Sequence, residues 1–287
     1  MSKSDHFSIK NRLFDPLKNK VVASLLALIS ISAPSTAWEY IVEEAPRGQK
    51  HSSQDCQAYR SEQSLAKGDL HIGSWNVLKG KRLGWDKVLQ KASETSAILL
   101  MQEATYGEAL HQALELHAQP IFAPGYISAG QQTGVITSAT AKPSQSCMYR
   151  HYEPWLETPK AALVLYYNIE DRSEQLLVAN IHAINFSLGI DAFEQQLDDV
   201  MQEIAQHHGP VIFAGDFNTW NQKRMLSLTK STQKLGLIAA PFEKEKIKSF
   251  RGWPLDHIFY RGLELKNSRV IEVDSSDHNF LHAHFRI

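Results

Sequence analysis

Apolar residues in this chain follow two rhythms. Short runs rich in Val, Ile and Leu occur at residues 70–75, 98–101, 134–138, 161–167, 176–181, 211–214, 257–260, 269–273 and 282–287. Runs of that length and composition predict strands. Between them lie stretches with helical spacing, at 85–93, 108–117, 191–208 and 223–235. The third is the clearest: Phe193, Leu197, Val200 and Ile204 form one stripe, and Gly209-Pro210 ends it. Strands interleaved with helices predict a layered α/β domain. The stretch 144–158 receives no element; it is aromatic and mixed in charge, and long loops of this kind often carry function.

The first residues follow a different pattern. Lys3, Lys10, Arg12, Lys18 and Lys20 precede an apolar run at 21–33, and Ser35-Thr36-Ala37 follows it. Basic, apolar, then small is the order of an export signal. The run is shorter than a bilayer span, but extended to Val42 it serves as a single anchor, with Trp38 and Tyr40 at the interface. The bland alternative is an amphipathic segment of a cytoplasmic protein. Residues 1–45 are therefore read as a targeting or anchor segment that exports the protein or holds it at a membrane through residues 1–42. Residues 46–68 read as a polar linker and 69–287 as the α/β domain. The 287 residues carry a formal net charge of -1, so no global positive field draws in nucleic acid. Cys56 and Cys147 share no metal or redox spacing. An exported chain could bridge them; two free thiols are the expectation.

The polar residues that carry chemistry stand in one kind of place. Asn76, Glu103, His182, Asp216, Asn218, Asp277 and His278 each end or follow an apolar run, and Asp256 directly precedes one. Asp216 and Asn218 are two apart, so in extended chain they project to the same side. Each alone has a bland reading: a turn residue, a helix N-terminal acid, a hydrogen-bonded core histidine. Together, at the ends of several strands, they can converge on one rim, where α/β active sites gather. Carboxylates and amides suit a hard divalent cation and its water, and imidazoles suit proton transfer.

The ordered set Trp75-Asn76, Gln102-Glu103, Asn180-Ile181-His182, Gly215-Asp216-Phe217-Asn218, Leu255-Asp256-His257-Ile258-Phe259 and Ser276-Asp277-His278 resembles the endonuclease/exonuclease/phosphatase superfamily. The resemblance covers about residues 70–287. The stretches 180–189 and Gly209-Pro210-Val211 are similar to a small uncharacterised bacterial branch of it. It implies a four-layer sandwich, two packed mixed β-sheets flanked by helices. It implies Mg²⁺ (or Mn²⁺), with Glu103 as main ligand, Asn76 beside it and Asp277 as a second carboxylate. It further implies that Asp216 orients or deprotonates the attacking water and that Asn218 holds water or phosphate. Asp256 would fix the His278 tautomer, while His278 and His182 hold phosphoryl oxygens or transfer protons. The choice of Asp216 or His278 as base stays open. His257 departs from the pattern, where relatives often carry an aromatic or apolar residue.

The expected activity is hydrolysis of a phosphodiester, or of a phosphomonoester, by a protein read as a monomer. A nuclease needs a basic, aromatic-lined groove. Trp220, Lys223, Arg224, Lys246, Lys248, Arg251 and Trp253 are the candidates for it. The alternatives are a phosphodiesterase acting on phospholipid headgroups at a membrane, and a non-catalytic binding module on the same fold.

Overall fold

The structure, a computed structural model, describes residues 53–287 apart from Gln119, Trp155, Glu157 and Leu188. The 1–45 segment with its 21–33 run, and Leu188 of the 180–189 stretch, lie outside the described residues.

The strands are β1 (Ser53–Ala58), β2 (Asp69–Asn76), β3 (Ile98–Thr105), β4 (Ile121–Ser128), β5 (Gln131–Ala139), β6 (Gln145–Tyr152), β7 (Pro159–Tyr167), β8 (Leu176–His182), β9 (Val211–Asp216), β10 (Ile238–Ala239), β11 (Ser249–Phe250), β12 (Trp253–Pro254), β13 (Asp256–Arg261), β14 (Glu264–Ile271) and β15 (Phe280–Arg286). The helices are α1 (Trp85–Ser93), α2 (Glu108–Ala113), α3 (Asp191–Gln206) and α4 (Gln222–Lys234). One sheet runs β1-β6-β7-β8-β9-β13-β10 and the other β14-β15-β2-β3-β5-β4, with β11 and β12 as a separate hairpin. Among the described strands β8–β9 and β2–β3 pair in parallel and the other pairs are antiparallel, so both sheets are mixed.

Strand alternation builds the layers. Val178, Ile212, Ala214 and Ile258 face the second sheet, where they meet Ile72, Leu100 and Phe285. Leu177, Ala179, Ile181 and Phe213 face outward, onto Phe193, Leu197, Val200 and Ile204 of α3 and Leu228 of α4. Strands covered on both faces read as unbroken apolar runs, which is why they stand out in the sequence. On the far side, α1 buries Leu89 and Ala92, and its Ser93 hydroxyl donates to the Ala113 carbonyl of α2. Helix, sheet, sheet, helix is the four-layer sandwich expected from the resemblance.

Two amides tie the sheets together where the apolar core ends. Gln102 donates to Asn180 Oδ1 at 2.8 Å, and Asn180 donates to the carbonyls of Ile136 (3.0 Å) and Met101 (3.2 Å). Gly215 makes the close approach of β9 to β8 possible. At φ 147° a Cβ there would stand 2.0 Å from the Ile181 carbonyl oxygen, so no larger residue fits.

Several expectations are corrected. β1 lies in the stretch read as linker, β4, β10, β11 and β12 fall where the apolar pattern predicts no strand, and β6 occupies most of the 144–158 loop. α2 stops at Ala113. α3 stops at Gln206, so His207 lies beyond its last turn in extended backbone, its Nε2 donating to the Gln175 (2.9 Å) and Pro210 (3.2 Å) carbonyls. Burial then lowers its pKa. The two free thiols are overturned as well: Cys56 and Cys147 face each other across β1 and β6 and form a disulfide.

Candidate active site

The site grows from the parity of the core strands. Along β8 the inward positions read Val178, Asn180, His182; along β9, Ile212, Ala214, Asp216. On β13 they read Ile258 then Asp256, and on β2 Ile72, Ser74, Asn76. Each strand therefore carries its apolar inner face to the end of the sandwich and finishes it with a polar residue. Register aligns them: His182 is opposite Asp216 across β8–β9, and Asp216 is opposite Asp256 across β9–β13. The second sheet supplies Asn76, opposite Gln102.

Asp216 is the centre. Its Oδ2 accepts from Asn76 Nδ2 at 3.0 Å, and it lies 3.8 Å from His182 Nε2 and 3.9 Å from His278 Nε2. Its Oδ1 accepts the Asn218 backbone N–H at 3.0 Å. The Asn218 side chain donates to the Ala183 carbonyl at 2.9 Å, from a backbone at φ 49°. That left-handed conformation suits Asn better than most residues. Burial, reinforced by Asp256, raises the Asp216 carboxyl to about 6 against the opposing pull of His278, Asn76 and the Asn218 N–H.

The two imidazoles facing Asp216 differ in charge. His278 Nδ1 is 2.8 Å from Asp256 Oδ2. Burial pushes this imidazole down, but Asp256, Asp216 and Asp277 together outweigh it and lift it to about 9. It is an imidazolium at neutral pH. His182 is driven well below 6.5, by burial first and then by Lys160, His278 and Lys79. Lys160 Nζ lies 3.0 Å from His182 Nε2, and an ammonium has only donors, so Nε2 accepts. With that lone pair taken, the side-chain donor beside His182 Nε2 is Lys160.

Glu103 sits at the bulge between Met101 and Ala104, at φ 49°. Such a backbone costs an ordinary residue on the order of 1–3 kcal/mol, and bulges re-aim side chains at functional sites. Here it aims Glu103 at Lys79, with which it forms an ion pair, and brings its Oε1 to 3.9 Å from His182 Nε2. Asp277 Oδ2 is bound by Lys248 at 3.1 Å, while its Oδ1 is buried with no hydrogen-bond partner among the described residues. The loop carrying Asp277 and His278 is fixed to β2. The Trp75 indole N–H donates to the His278 carbonyl at 2.9 Å, and the Ser276 hydroxyl donates to the Asn76 carbonyl at 2.6 Å.

An unpartnered buried carboxylate oxygen is the observation that fits a divalent cation here. Glu103, Asp277 and Asn76 offer the oxygens that Mg²⁺ and Mn²⁺ prefer. The Asp/His grouping that the structure does bring together among the described residues is Asp216, Asp256 and His278, their ligand atoms all within 4.8 Å of one another.

Three site residues carry no sequence signal. Lys79 follows β2 on a short turn, Tyr126 lies in β4, and Lys160 opens β7. The two ammonium groups lie 5.6 and 5.3 Å from the Tyr126 ring centroid. Two candidates turn away from the site. Arg224 is buried and stacked between Phe193 and Trp220, and it donates to the carbonyls of Ile184, Asn185 and Asn218. It positions the loop after β8 and cannot line a groove. His257 packs against Phe217 and Phe259, with Nε2 2.9 Å from the Thr219 hydroxyl, and burial lowers it to about 4. It is a structural residue facing away from the site.

Comparison with known proteins agrees with this fold. The pattern of the Endonuclease/Exonuclease/phosphatase family matches residues 73–278. A UPF0294 protein of Vibrio campbellii is 37% identical over 235 residues, covering 81% of this chain and 83% of its own. One from Yersinia pseudotuberculosis is 39% identical over 218 residues, covering 76% and 84%. Among solved structures, an endonuclease/exonuclease/phosphatase from Bacteroides vulgatus aligns with a TM-score of 0.59 at 16% identity, covering 77% of this chain and 100% of its own. ANGEL2, a 2',3'-cyclic phosphatase, aligns at 0.62 with 15% identity, covering 82% and 99%. The chain belongs to the endonuclease/exonuclease/phosphatase family, whose members hydrolyse phosphoester bonds.

Proposed function

We propose that this protein is a metal-dependent phosphodiesterase. The observation that carries the reading is the buried Asp216, with Asn76 on one oxygen and the charged His278 facing it at 3.9 Å. A carboxylate lifted to about 6 is still ionised at neutral pH and is a stronger base than an ordinary aspartate. Asp216 therefore orients the attacking water and takes its proton. His278, held by Asp256, presents an N–H to a phosphoryl oxygen and stabilises the charge that develops there. Lys160 and Asn218 hold the remaining phosphate oxygens. Glu103, Asp277 and Asn76 would hold Mg²⁺ or Mn²⁺, which supplies charge neutralisation on the phosphoryl group.

The nuclease reading draws on the basic residues beside the site. Arg224 is withdrawn into the core, Lys248 is bound to Asp277, and Lys246 pairs with Glu272 (3.5 Å) and Glu243 (4.0 Å), which leaves Lys223 and Arg251 with Trp220 and Trp253. The test is turnover of bis(p-nitrophenyl) phosphate and p-nitrophenyl phosphate by the full chain and by Asp216→Asn. The reading predicts preference for the diester and loss of turnover in the variant. A variant as active as the parent sinks it.

A further inference from the structure

Five of the nine large apolar side chains left in water among the described residues stand on segments at one end of the sandwich; Leu116, Leu226, Ile238 and Ile271 are not among them. Leu83, 98% exposed, stands on the turn between Lys79 and α1. Ile127 follows Tyr126 in β4, and Phe250 stands on the β11–β12 hairpin just before Asp256. Leu156 and Phe186 are likewise exposed, on segments joined through Glu153, whose Oε1 accepts the N–H groups of Asn185 and Phe186. Single exposed apolar residues need no explanation. These lie on the segments that carry or border Lys79, Tyr126, His182 and Asp256, so they ring the mouth of the site. Cations stand among them: Lys81 and Arg82 precede Leu83, and Arg251 lies over the Phe250 ring at 5.4 Å. Apolar residues flanked by Lys and Arg suit an anionic bilayer surface, the first entering the acyl boundary and the second meeting headgroup phosphates.

Strand direction gives a second, independent argument. Ser53 is opposite Arg150 and Ala58 opposite Gln145, so β1 begins beside the end of β6. β6 ends at Tyr152, opposite Pro159, and β7 begins beside the end of β8, at His182. The chain therefore enters the domain at the active-site end, and the Cys56–Cys147 disulfide fixes that strand. Upstream in sequence lie the basic residues and the apolar run at 21–33.

We propose that the active-site end of the sandwich is a membrane-docking face that seats on an anionic phospholipid bilayer and draws its phosphodiester from the lipid headgroups. The substrate half of this rests on the phosphodiesterase reading. Hydrolysis adds one water across a P–O bond and gives a phosphomonoester and an alcohol, the water's proton ending on the leaving oxygen.

The test uses the full chain in vesicles of phosphatidylglycerol and phosphatidylethanolamine. A nitroxide is placed at Leu83→Cys, Phe250→Cys or Leu116→Cys; the bonded Cys56 and Cys147 do not take the label. Leu116 is the control, beside His117, which is held to the Ser96 carbonyl at the opposite end. Labels at 83 and 250 should be shielded from a water-soluble nickel chelate and open to oxygen, with the reverse at 116. If all three read as aqueous, the docking face is wrong. In the kinetic arm, the Leu83→Asp/Phe250→Asp double variant should lose about tenfold or more of its turnover of vesicle phospholipid, because two charges enter the apolar contact. Turnover of soluble bis(p-nitrophenyl) phosphate should persist. Equal loss on both substrates, no loss on either, or a parent that cleaves single-stranded DNA but no lipid overturns the lipid substrate. A parent inactive on every diester removes the phosphodiesterase reading, and the labels alone then decide the docking face.

Discussion

His278 and Asp256 meet at 2.8 Å through Nδ1 and Oδ2, and this bond leaves His278 Nε2 facing Asp216 at 3.9 Å. Each partner is buried, so neither has water to replace the other. The pair acts as one unit. Asp256→Ala and His278→Ala should each lower phosphodiester turnover by roughly 10²- to 10⁴-fold, the range of a positioned acid–base group. The double variant should lose little more, because residues acting as a unit are not additive. Losses that multiply would show that the two work independently.

The same bond makes stability depend on alkaline pH. The folded-state pKa of His278 is raised to about 9, above the ordinary 6.5. Its contribution is complete below 6.5 and is lost as pH rises through about 9. Thermal unfolding in excess chelator should therefore show the melting temperature falling from pH 7 to pH 10. His278→Gln should flatten that slope; an unchanged slope would assign it to another group.

The disulfide spans 91 residues of sequence and holds an edge strand. Closing a loop of that size restricts the unfolded chain, so Cys56→Ser should cost about 2–4 kcal/mol. Chemical unfolding with and without reductant measures it. A parent protein insensitive to reductant would show that the bridge contributes nothing.

Arg224 is the least surface-like of the charged residues near the site. Arg224→Met keeps the stacking on Phe193 and Trp220 but leaves the carbonyls of Ile184, Asn185 and Asn218 without their donor. The expected cost is about 3 kcal/mol or more, as for other broken buried networks. Turnover should fall too, since Asn218 loses its support. A fully stable, fully active variant would contradict this.

Much of this was legible because both sheets are covered on both faces. Buried strands such as β8 and β9 announce themselves as apolar runs, and the polar residues that end them fall at their tips by alternation. Strands of mixed character did not show: β6 alternates Ser146, Met148 and Arg150 with Cys147, Tyr149 and His151, and β4 contains Pro124 and Gly125. Lys79, Tyr126 and Lys160 were missed for a related reason. They reach the site from a turn and from strands without a motif, and Lys160 has the outward register of Ala162 and Val164. Arg224 was misjudged because a lone arginine near a helix start ordinarily faces water. Only tertiary contact shows the carbonyls waiting for it. The bridge between Cys56 and Cys147 depends on the register of β1 against β6, which no local pattern encodes.

The most direct test of a metal-dependent phosphodiesterase is turnover of bis(p-nitrophenyl) phosphate by the full chain stripped with EDTA, then titrated with Mg²⁺ or Mn²⁺. The stripped protein should be inactive and either ion should restore it, because hard oxygen ligands such as Glu103 and Asp277 fit these ions. Glu103→Gln and Asp277→Asn should each need more metal for half-maximal turnover. Full turnover in excess EDTA would contradict the account.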